Sequence, residues 1–344
     1  METVTTVLGP ISRDALGITL AHEHLLIDLR VWWKAPVSAE RAHIVDAEVT
    51  LDRRGELVVD PYESKENLQL DDVDAAVAEI RKFGELGGST VIDLSSRSIG
   101  PYPAQLAEIS RRSGVHVVAS TGLYIRHAHP AWVADVSVDE IADRMVRELT
   151  EGYVEAPGIR AGIIGEIGTS TPVHAQEEKA LRAAARAQRR TGAAINVHLA
   201  IFAREGHRAL DILEEEGAAL DRVALSHLDE QLDASYHLSL ARRGAYIEYD
   251  TFGAESEFQS AGERQSKDTE RVDLLLALLD AGLERQILMS QDVCMRVQLT
   301  RFGGKGYGHV LRSIVPHLRG RGVSEAQLQV LLRENPARLL TGQA

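Results

Sequence analysis

Along most of the chain, short apolar runs alternate with longer stretches in which apolar residues recur at helical spacing. In one such stretch Val77, Ile80 and Phe83 fall on one helical face, and Gly87-Gly88 then ends the helix. The pattern predicts helices over 71–86, 104–112, 138–151, 175–190, 204–216, 234–243 and 269–281, with further helices towards the C-terminus. It predicts strands over 18–26, 90–94, 116–120, 161–166, 194–198, 223–227, 245–250 and 286–290.

The eight predicted strands are apolar enough to be buried on both faces, and a helix follows each of them. Parallel strands need such crossovers, so an eightfold alternation over about 270 residues indicates an α/β fold with a single (β/α)8 TIM barrel. A doubly wound open sheet is the alternative. That fold would carry a glycine-rich phosphate turn after its first strand, where this chain has His22-Glu23-His24. No linker or repeat divides the chain, so we expect one domain over 1–344.

Two segments lie outside the alternation. Residues 1–17 read as short β segments broken at Gly9-Pro10 and predict an N-terminal hairpin ahead of the barrel. Residues 30–70 form a long, charge-rich stretch after the first strand that carries Trp32 and Trp33. A loop of this length inside a compact domain is typical of a lid or a binding segment, with a floppy insertion as the alternative.

Composition and charge narrow the classes of function. The net charge of −13 argues against an extended surface for nucleic acid or anionic membranes, because the protein's own field would repel both. The single cysteine, Cys294, excludes an intrachain disulfide and fits a reducing compartment. No apolar run approaches the ~20 residues of a membrane span, and the N-terminus lacks the pattern of a secretory signal. We expect a cytoplasmic enzyme with a small-molecule substrate, and a homodimer is left open.

Polar residues at the predicted strand ends carry the candidate chemistry, because the C-terminal strand ends form the catalytic face of a β/α barrel. The residues found there are His22 and His24 on the first strand, Glu166 on the fourth, His198 on the fifth, His227 on the sixth and Asp292 after the eighth. Burying six such groups is costly without a counter-charge, which two divalent cations about 3.5–4 Å apart would supply. Each residue alone could equally be a hydrogen-bonded structural residue; their joint occurrence favours a metal site.

These motifs resemble the phosphotriesterase family of the amidohydrolase superfamily over nearly the whole chain. The segments that carry the resemblance are Thr6-Val-Leu-Gly-Pro-Ile11, Leu20-Ala-His-Glu-His24, Ala161-Gly-Ile-Ile164, Leu225-Ser-His-Leu228 and Glu334-Asn-Pro-Ala337. Those most similar to the phosphotriesterase-related subgroup are Tyr246-Ile-Glu-Tyr-Asp250, Phe252-Gly253 and Gly303-Gly-Lys-Gly-Tyr-Gly-His309. The resemblance implies a metal-dependent hydrolase on a TIM barrel.

One departure from the namesake phosphotriesterases is informative. In those enzymes a carboxylated lysine on the fourth strand bridges the metals, whereas the corresponding stretch here, Ile163-Ile-Gly-Glu166, contains no lysine. Glu166 looks like the bridging carboxylate, as in the subgroup that the chain resembles. Because the glutamate stem is shorter, the backbone must come closer to the metals, and Gly165 and Gly168 would permit that.

The resemblance also implies which residues hold each ion. His22, His24 and Asp292 would hold one divalent metal ion and His198 and His227 the other, with Glu166 and a hydroxide bridging the two. Zinc is favoured over manganese or cobalt as the metal. The hydroxide would attack the scissile bond, and Asp292 would act as general base and later as proton donor.

The loops after the third and eighth strands supply candidates for substrate binding. The main candidates are Tyr124, Arg296, Lys305 and Tyr307, with Arg126, His127, His129 and Arg301 nearby in the sequence. Several are cationic in an acidic protein, which favours a small anionic ester, lactone or amide as substrate. Solvated loop charges are the alternative explanation. Other functions left open are an organophosphate triester hydrolase, a mononuclear deaminase-like hydrolase and a catalytically silent small-molecule-binding protein on the same barrel.

Overall fold

A computed structural model describes residues 2–100 and 102–342, and its centre is an eight-stranded parallel sheet. The strands are β1 (Ile18–Glu23), β2 (Gly88–Asp93), β3 (His116–Thr121), β4 (Ile163–Gly168), β5 (Ile195–His198), β6 (Val223–Leu225), β7 (Tyr246–Tyr249) and β8 (Ile287–Met289). They pair in chain order, and β8 returns beside β1. There His22 N donates to Ser290 Oγ at 3.0 Å and Asp292 N donates to His22 O at 3.3 Å. The predicted TIM barrel is confirmed.

Helices surround the sheet and follow the predicted order. They are α1 (Val73–Glu85), α2 (Pro103–Ser113), α3 (Val138–Thr150), α4 (Ala175–Thr191), α5 (Gly206–Glu215), α6 (Ala234–Ala241), α7 (Asp268–Asp280), α8 (Val315–Gly320), α9 (Glu325–Gln329) and α10 (Asn335–Thr341). Local chemistry fixes their ends: Ser137 and Glu140 form a capping box before α3, and Gly114 takes a left-handed conformation after α2. Within 2–100 and 102–342, no helix is long and apolar enough to cross a membrane.

The barrel interior is a filled core. Ile92, Val118, Ile163 and Leu288 pack there with other buried apolar residues of the strands. The N-terminal hairpin, in which Thr3–Thr6 pairs with Gly9–Ser12, adds Val4 to the same cluster. Because this hairpin packs against the barrel core, the polar strand ends can gather at the opposite, C-terminal face.

Strands β1 and β6 end earlier than the apolar runs predict, because side chains accept the backbone N–H groups that would continue the ladder. After β1, Leu25 N donates to Asp93 Oδ2 at 2.7 Å; after β6, His227 N donates to Asp250 Oδ1 at 3.0 Å. His227 and Asp292 adopt left-handed backbone conformations, with φ of 61° and 46°. Non-glycine residues are uncommon in this region, and such strain concentrates at functional sites.

The 30–70 segment is packed against the barrel. Its ends are held together by antiparallel pairing of Ile27–Asp28 with Gln69–Leu70. Between them lie the short helical turns Arg30–Trp32, Ala39–Ile44, Leu51–Arg53, Arg54–Leu57 and Pro61–Glu63. Glu257 N donates to Val58 O at 2.9 Å and Ser260 N donates to Asp60 Oδ2 at 2.8 Å. The 30–70 segment is therefore hydrogen-bonded to residues 257–260 after β7.

Candidate metal centre

The six candidate ligands meet in one cleft at the C-terminal end of the barrel. Five of them are buried, and the side chain of Asp292, at 15 % exposed, is the most open. Each comes from a different position in or just after a strand: His22, His24, Glu166, His198, His227 and Asp292. Their convergence brings imidazole nitrogens and carboxylate oxygens together without an intervening apolar layer.

Glu166 lies between two groups of histidines. Its Oε1 is 3.6 Å from His24 Nε2, and its Oε2 is 3.0 Å from His198 Nδ1. The pairing of β4 with β5 is irregular here, since the register shifts between Ile164 and Ile167. Gly165 makes this path feasible: its φ is +132°, and a Cβ there would lie 2.5 Å from Asn196 O. The strand can therefore bring Glu166 close to both groups.

The ligand atoms form two clusters with metal-binding composition. In the first, His24 Nε2 and His22 Nε2 lie 3.2 and 3.8 Å from Asp292 Oδ1. In the second, His198 Nδ1 lies 2.8 Å from His227 Nε2, and Glu166 completes the group. Carboxylates and imidazoles are ordinary ligands of divalent transition metals. Each cluster could hold one ion, with Glu166 next to both.

In each of the four candidate histidines, the ring nitrogen that faces away from the other candidate ligands has a hydrogen-bonding partner. His24 Nδ1 lies 3.0 Å from Ser95 Oγ, and His198 Nε2 lies 3.3 Å from Tyr124 OH. One carboxylate serves the other two: the oxygens of Asp250 lie 3.1 Å from His22 Nδ1 and 3.0 Å from His227 Nδ1. Partners of this kind fix the ring orientation of metal-binding histidines and direct the second nitrogen to the metal.

The electrostatics of the cleft favour bound positive charge. Burial alone would raise the pKa of Glu166, but His198, His22 and His24 lower it to about 2. Burial would lower the pKa of His227, but Asp250 raises it to about 9. Glu166 therefore stays ionised and Asp250 draws cationic character onto His227, as expected of a site that would accept a metal ion in place of that proton.

A narrow cavity of about 30 Å³ opens above the ligands. The residues that line it besides the ligands are aromatic, aliphatic or sulfur-containing: Leu29, Trp32, Tyr62, Tyr124, Ile201 and Cys294. None of the lining residues identified within 2–100 and 102–342 is lysine or arginine. The wall therefore offers aromatic surface and the Tyr124 hydroxyl rather than a fixed cation.

Comparison with known proteins identifies the family to which this barrel belongs. The family model of the phosphotriesterase family matches residues 2–340. The chain belongs to the phosphotriesterase family. The N-acetyltaurine hydrolase of Xenopus tropicalis is 33 % identical over 98 % of this chain and 97 % of its own, and the phosphotriesterase-related protein of Nematostella vectensis is 34 % identical over the same shares.

Among solved structures, a resiniferatoxin-binding protein from Rhodobacter sphaeroides superposes with a TM-score of 0.97 and 41 % identity, covering 99 % of this chain and 95 % of that one. The predicted family membership and the likeness to phosphotriesterase-related proteins are confirmed. This member of the phosphotriesterase family is a hydrolase of a metal-dependent family, and clusters of histidine and carboxylate in its barrel have the composition to hold metal.

Of the four main substrate-binding candidates, the structure brings only Tyr124 to the cavity. Arg296 lies 2.5 Å from Glu66 and 2.9 Å from Asp71, and Lys305 Nζ lies 2.9 Å from Asp268 Oδ2. The two cations are therefore engaged by carboxylates of neighbouring loops. The loop charges that suggested an anionic substrate do not line the cavity above the candidate ligands.

Tyr307 and the remaining loop candidates also lie elsewhere. The Tyr307 hydroxyl is buried and donates to the His24 carbonyl at 2.7 Å, so it holds the ligand strand from behind. Together with Arg296 and Arg301 it lines a separate cavity of about 250 Å³ beside α1. Arg126 and His127 contact each other at the surface, and His129 Nε2 lies 2.7 Å from Tyr124 O.

The cavity also contains residues that the strand-end search did not select. Trp32 and Tyr62 reach it from the 30–70 segment, and their rings stack with centroids 6.0 Å apart. Cys294 reaches it because it follows Asp292 by two residues, with Sγ 3.9 Å from Asp292 Oδ2. The length of the 30–70 segment was the one available signal for Trp32 and Tyr62, and the segment has no periodic pattern that would single out Tyr62.

Proposed function

We propose that this protein is a binuclear metal-dependent hydrolase that cleaves an ester, lactone or amide bond of a small substrate. In this proposal one divalent ion is held by His22, His24 and Asp292 and the other by His198 and His227, with Glu166 shared. The observation that supports the proposal is the position of Glu166, whose carboxylate lies 3.6 Å from both His22 and His24 and 3.0 Å from His198. A shared carboxylate of this kind is what a pair of adjacent ions requires.

The residues present fit a pair of divalent ions. His22 Nε2 is fully buried and has no hydrogen-bond partner among the described residues, although it points to Glu166 and Asp292 at 3.6 and 3.8 Å. A buried nitrogen left unpaired among carboxylates is costly, and a metal ion between them would remove that cost. The nitrogen and oxygen donors suit zinc and also accept manganese or cobalt.

The bound metals would supply a hydroxide nucleophile at neutral pH and would polarise the scissile carbonyl. Side chains of the protein would transfer the proton and exclude water. Asp292, the most open of the carboxylates, is placed to take a proton on its carboxylate and to return it to the leaving group. Trp32, Tyr62 and Tyr124 exclude water from the reacting bond.

The cavity supports a substrate whose reacting end is small and uncharged. About 30 Å³ leaves room for roughly two water molecules, so the aromatic wall must move when a substrate enters. Among the described residues, the wall contains no lysine or arginine. It therefore offers no cationic side chain that would bind an anionic group of the substrate beside the scissile bond. Because several relatives are named N-acetyltaurine hydrolase, N-acetyl amides join lactones and esters as the first substrates to test.

The test pairs metal quantification with a substrate panel. Protein is assayed as isolated, after stripping with a chelator, and after reconstitution with zinc, manganese or cobalt. The panel contains aryl esters, γ-lactones, N-acetyl amides and an aryl phosphate triester. We expect two metal equivalents and metal-dependent hydrolysis of an ester, lactone or amide. One equivalent would favour a mononuclear hydrolase, and activity only on the triester would favour the organophosphate alternative.

A matched pair of variants distinguishes the effect of removing the proposed bridging carboxylate from the effect of removing a buried carboxylate elsewhere. Glu166→Ala should lose metal and activity together. Glu79→Ala removes a carboxylate that is also 2 % exposed but is bonded to Thr300 and Lys82, outside the cleft. It should keep two metal equivalents and its turnover. Retention of both ions by Glu166→Ala would contradict the shared-ligand assignment.

A second candidate function is small-molecule binding without catalysis. The observation that favours it is the 41 % identical structure described as a resiniferatoxin-binding protein. The six converging side chains favour catalysis instead, since a binder has no need of every ligand and of an open carboxylate beside them. Two bound metal equivalents with no hydrolysis across the whole panel would support the binding function.

A further inference from the structure

The Tyr124 hydroxyl lies between a lid residue and a proposed metal ligand. It is 3.0 Å from Trp32 Nε1 and 3.3 Å from His198 Nε2, and its residue is 4 % exposed. Trp32 belongs to the 30–70 segment, whereas Tyr124 and His198 follow the barrel strands. The Tyr124 hydroxyl therefore connects the 30–70 segment to the barrel above the cleft.

The donor and acceptor roles at this hydroxyl follow from the chemistry of its neighbours. An indole nitrogen can only donate, so Trp32 must donate to the Tyr124 oxygen. His198 faces the proposed ligands with Nδ1, which is 3.0 Å from Glu166 Oε2 and 2.8 Å from His227 Nε2. If Nδ1 binds metal, as in the proposed function on which this step rests, the neutral ring carries its proton on Nε2. His198 Nε2 then also donates to the Tyr124 oxygen.

We propose that Trp32 is a positioning residue that, together with His198, occupies both acceptor sites of the Tyr124 hydroxyl and leaves its proton as a hydrogen-bond donor to the reacting oxygen of the substrate. A phenol has one proton and two lone pairs. With both lone pairs occupied, the O–H bond must point away from Trp32 and His198. Tyr124 lines the cavity, so the remaining direction is the space in which the substrate oxygen lies.

The arrangement makes the direction of the Tyr124 proton depend on Trp32. Without the Trp32 indole, the hydroxyl would keep only one donor and its proton would be free to rotate. With Trp32 in place, the donor is fixed before the reaction begins, and a preorganised donor stabilises developing negative charge without further reorganisation. The expected substrates are thus those whose carbonyl oxygen gains negative charge during attack.

The chain offers a matched pair for the test. Trp32→Phe removes the indole N–H and keeps a ring that can stack on Tyr62. Trp33→Phe makes the same change one residue later, where the indole donates to the Glu63 carbonyl at 3.1 Å instead. Tyr124→Phe removes the hydroxyl itself. Metal content is measured for every variant, and we expect it to be unchanged.

The first readout is independent of activity. Zinc-loaded protein labelled with ¹³C at the tyrosine ζ position is examined by NMR, and the Tyr124 resonance is the one missing in Tyr124→Phe. Trp32→Phe should shift that resonance, because the ζ carbon reports hydrogen bonds to the phenol oxygen, whereas Trp33→Phe should not. An unmoved Tyr124 resonance in Trp32→Phe would overturn the proposal, whether or not a substrate has been found.

The second readout uses the best substrate of the panel. Tyr124→Phe should lower kcat about 10²-fold, as removal of a preorganised donor does. Trp32→Phe should lower kcat about 3- to 10-fold with little change in KM, and should have no further effect in Tyr124→Phe. Equal activity of Trp32→Phe and Trp33→Phe, or effects of Trp32 and Tyr124 that multiply, would overturn the proposal. Absence of any hydrolysis would instead count against the proposed function and leave the NMR result to decide.

Discussion

Two buried clusters of charged side chains in this protein are built differently. In the candidate metal centre, imidazoles and carboxylates meet without a lysine or arginine among the described lining residues. In the second, which we call the Arg271 cluster, fully buried Arg271 contacts Glu230 at 2.8 Å, Asp268 at 3.1 Å and Asp229 at 3.3 Å. A guanidinium is always charged, so this cluster contains its own cation. Burial of charge alone therefore does not indicate a metal site, because a buried cluster can also contain its own cation.

The comparison predicts that metal removal affects one cluster and not the other. Chelation should abolish hydrolysis and lower the stability of the fold by about 3–4 kcal/mol relative to protein in metal at 100 to 1,000 times its Kd. Zinc or manganese should restore both. Activity and urea unfolding, measured on stripped and reconstituted protein, check this. Full activity in a metal-free, chelator-treated sample would refute the metal-dependent mechanism.

Asp292→Asn should lower kcat about 10²- to 10⁴-fold while both metals stay bound, because the amide still offers an oxygen ligand but cannot take a proton. The matched change in the Arg271 cluster is Asp268→Asn, which also neutralises a carboxylate but lies away from the reacting bond. That variant should lose stability and keep its kcat. Steady-state kinetics with metal analysis give the comparison, and equal kcat values for the two variants would exclude Asp292 as the base.

Arg271→Met should lower the free energy of unfolding by about 3–5 kcal/mol, because it leaves buried carboxylates without their cation. The number of bound metals should not change. Arg321→Met provides the control, since Arg321 pairs with Asp273 at 2.8 Å on the exposed surface and such pairs contribute little. Urea titrations of the holoprotein measure both. A loss no larger than that of Arg321→Met would mean that the cluster does not depend on its own cation.

The smallest predicted change in stability is at His237, a buried histidine whose pKa is lowered, whereas that of His227 in the candidate metal centre is raised. His237 packs on Tyr249 with Nδ1 3.2 Å from the hydroxyl, and burial lowers its pKa to about 4, with the more distant Asp233 and Arg204 making minor contributions. The unfolded chain therefore binds more protons between about pH 4 and 6.5, so this residue destabilises the fold as pH falls through that range. His237→Gln should remove about 2 kcal/mol of the loss between pH 7.5 and 5. Parallel pH dependences of unfolding for the two proteins would contradict this.

The barrel and the convergence of the candidate ligands could be predicted because both follow local rules. Eight apolar runs separated by helical periods leave few other folds, and the strand ends that carry His22, Glu166 and His198 must then share one face. Strand bounds were less accurate. Where Asp93 and Asp250 accept backbone N–H groups, side chains end the ladder early, and no periodicity records such bonds.

The side chains that line the cavity could not be predicted in the same way, because loop charge does not reveal a side chain's partner. Arg296 and Lys305 were chosen as cations near the active face, yet each meets carboxylates from segments distant in sequence. Trp32 and Tyr62 reach the cavity because pairing at Ile27–Asp28 and Gln69–Leu70 folds the 30–70 segment back over the barrel. That path depends on long-range contacts rather than on the local pattern.

The junction between β8 and β1 has a consequence for how the protein is made. On the proposed assignment, one ion needs His22 and His24 from the first strand and Asp292 from beyond the last, a separation of roughly 270 residues. A ribosome that adds about 5–20 residues per second exposes the histidine pair roughly 15–50 s before the aspartate. This ion can bind its full ligand set only when nearly the whole chain has emerged. Metal loading is then a late step of biogenesis, and a nascent or truncated chain holds an incomplete site.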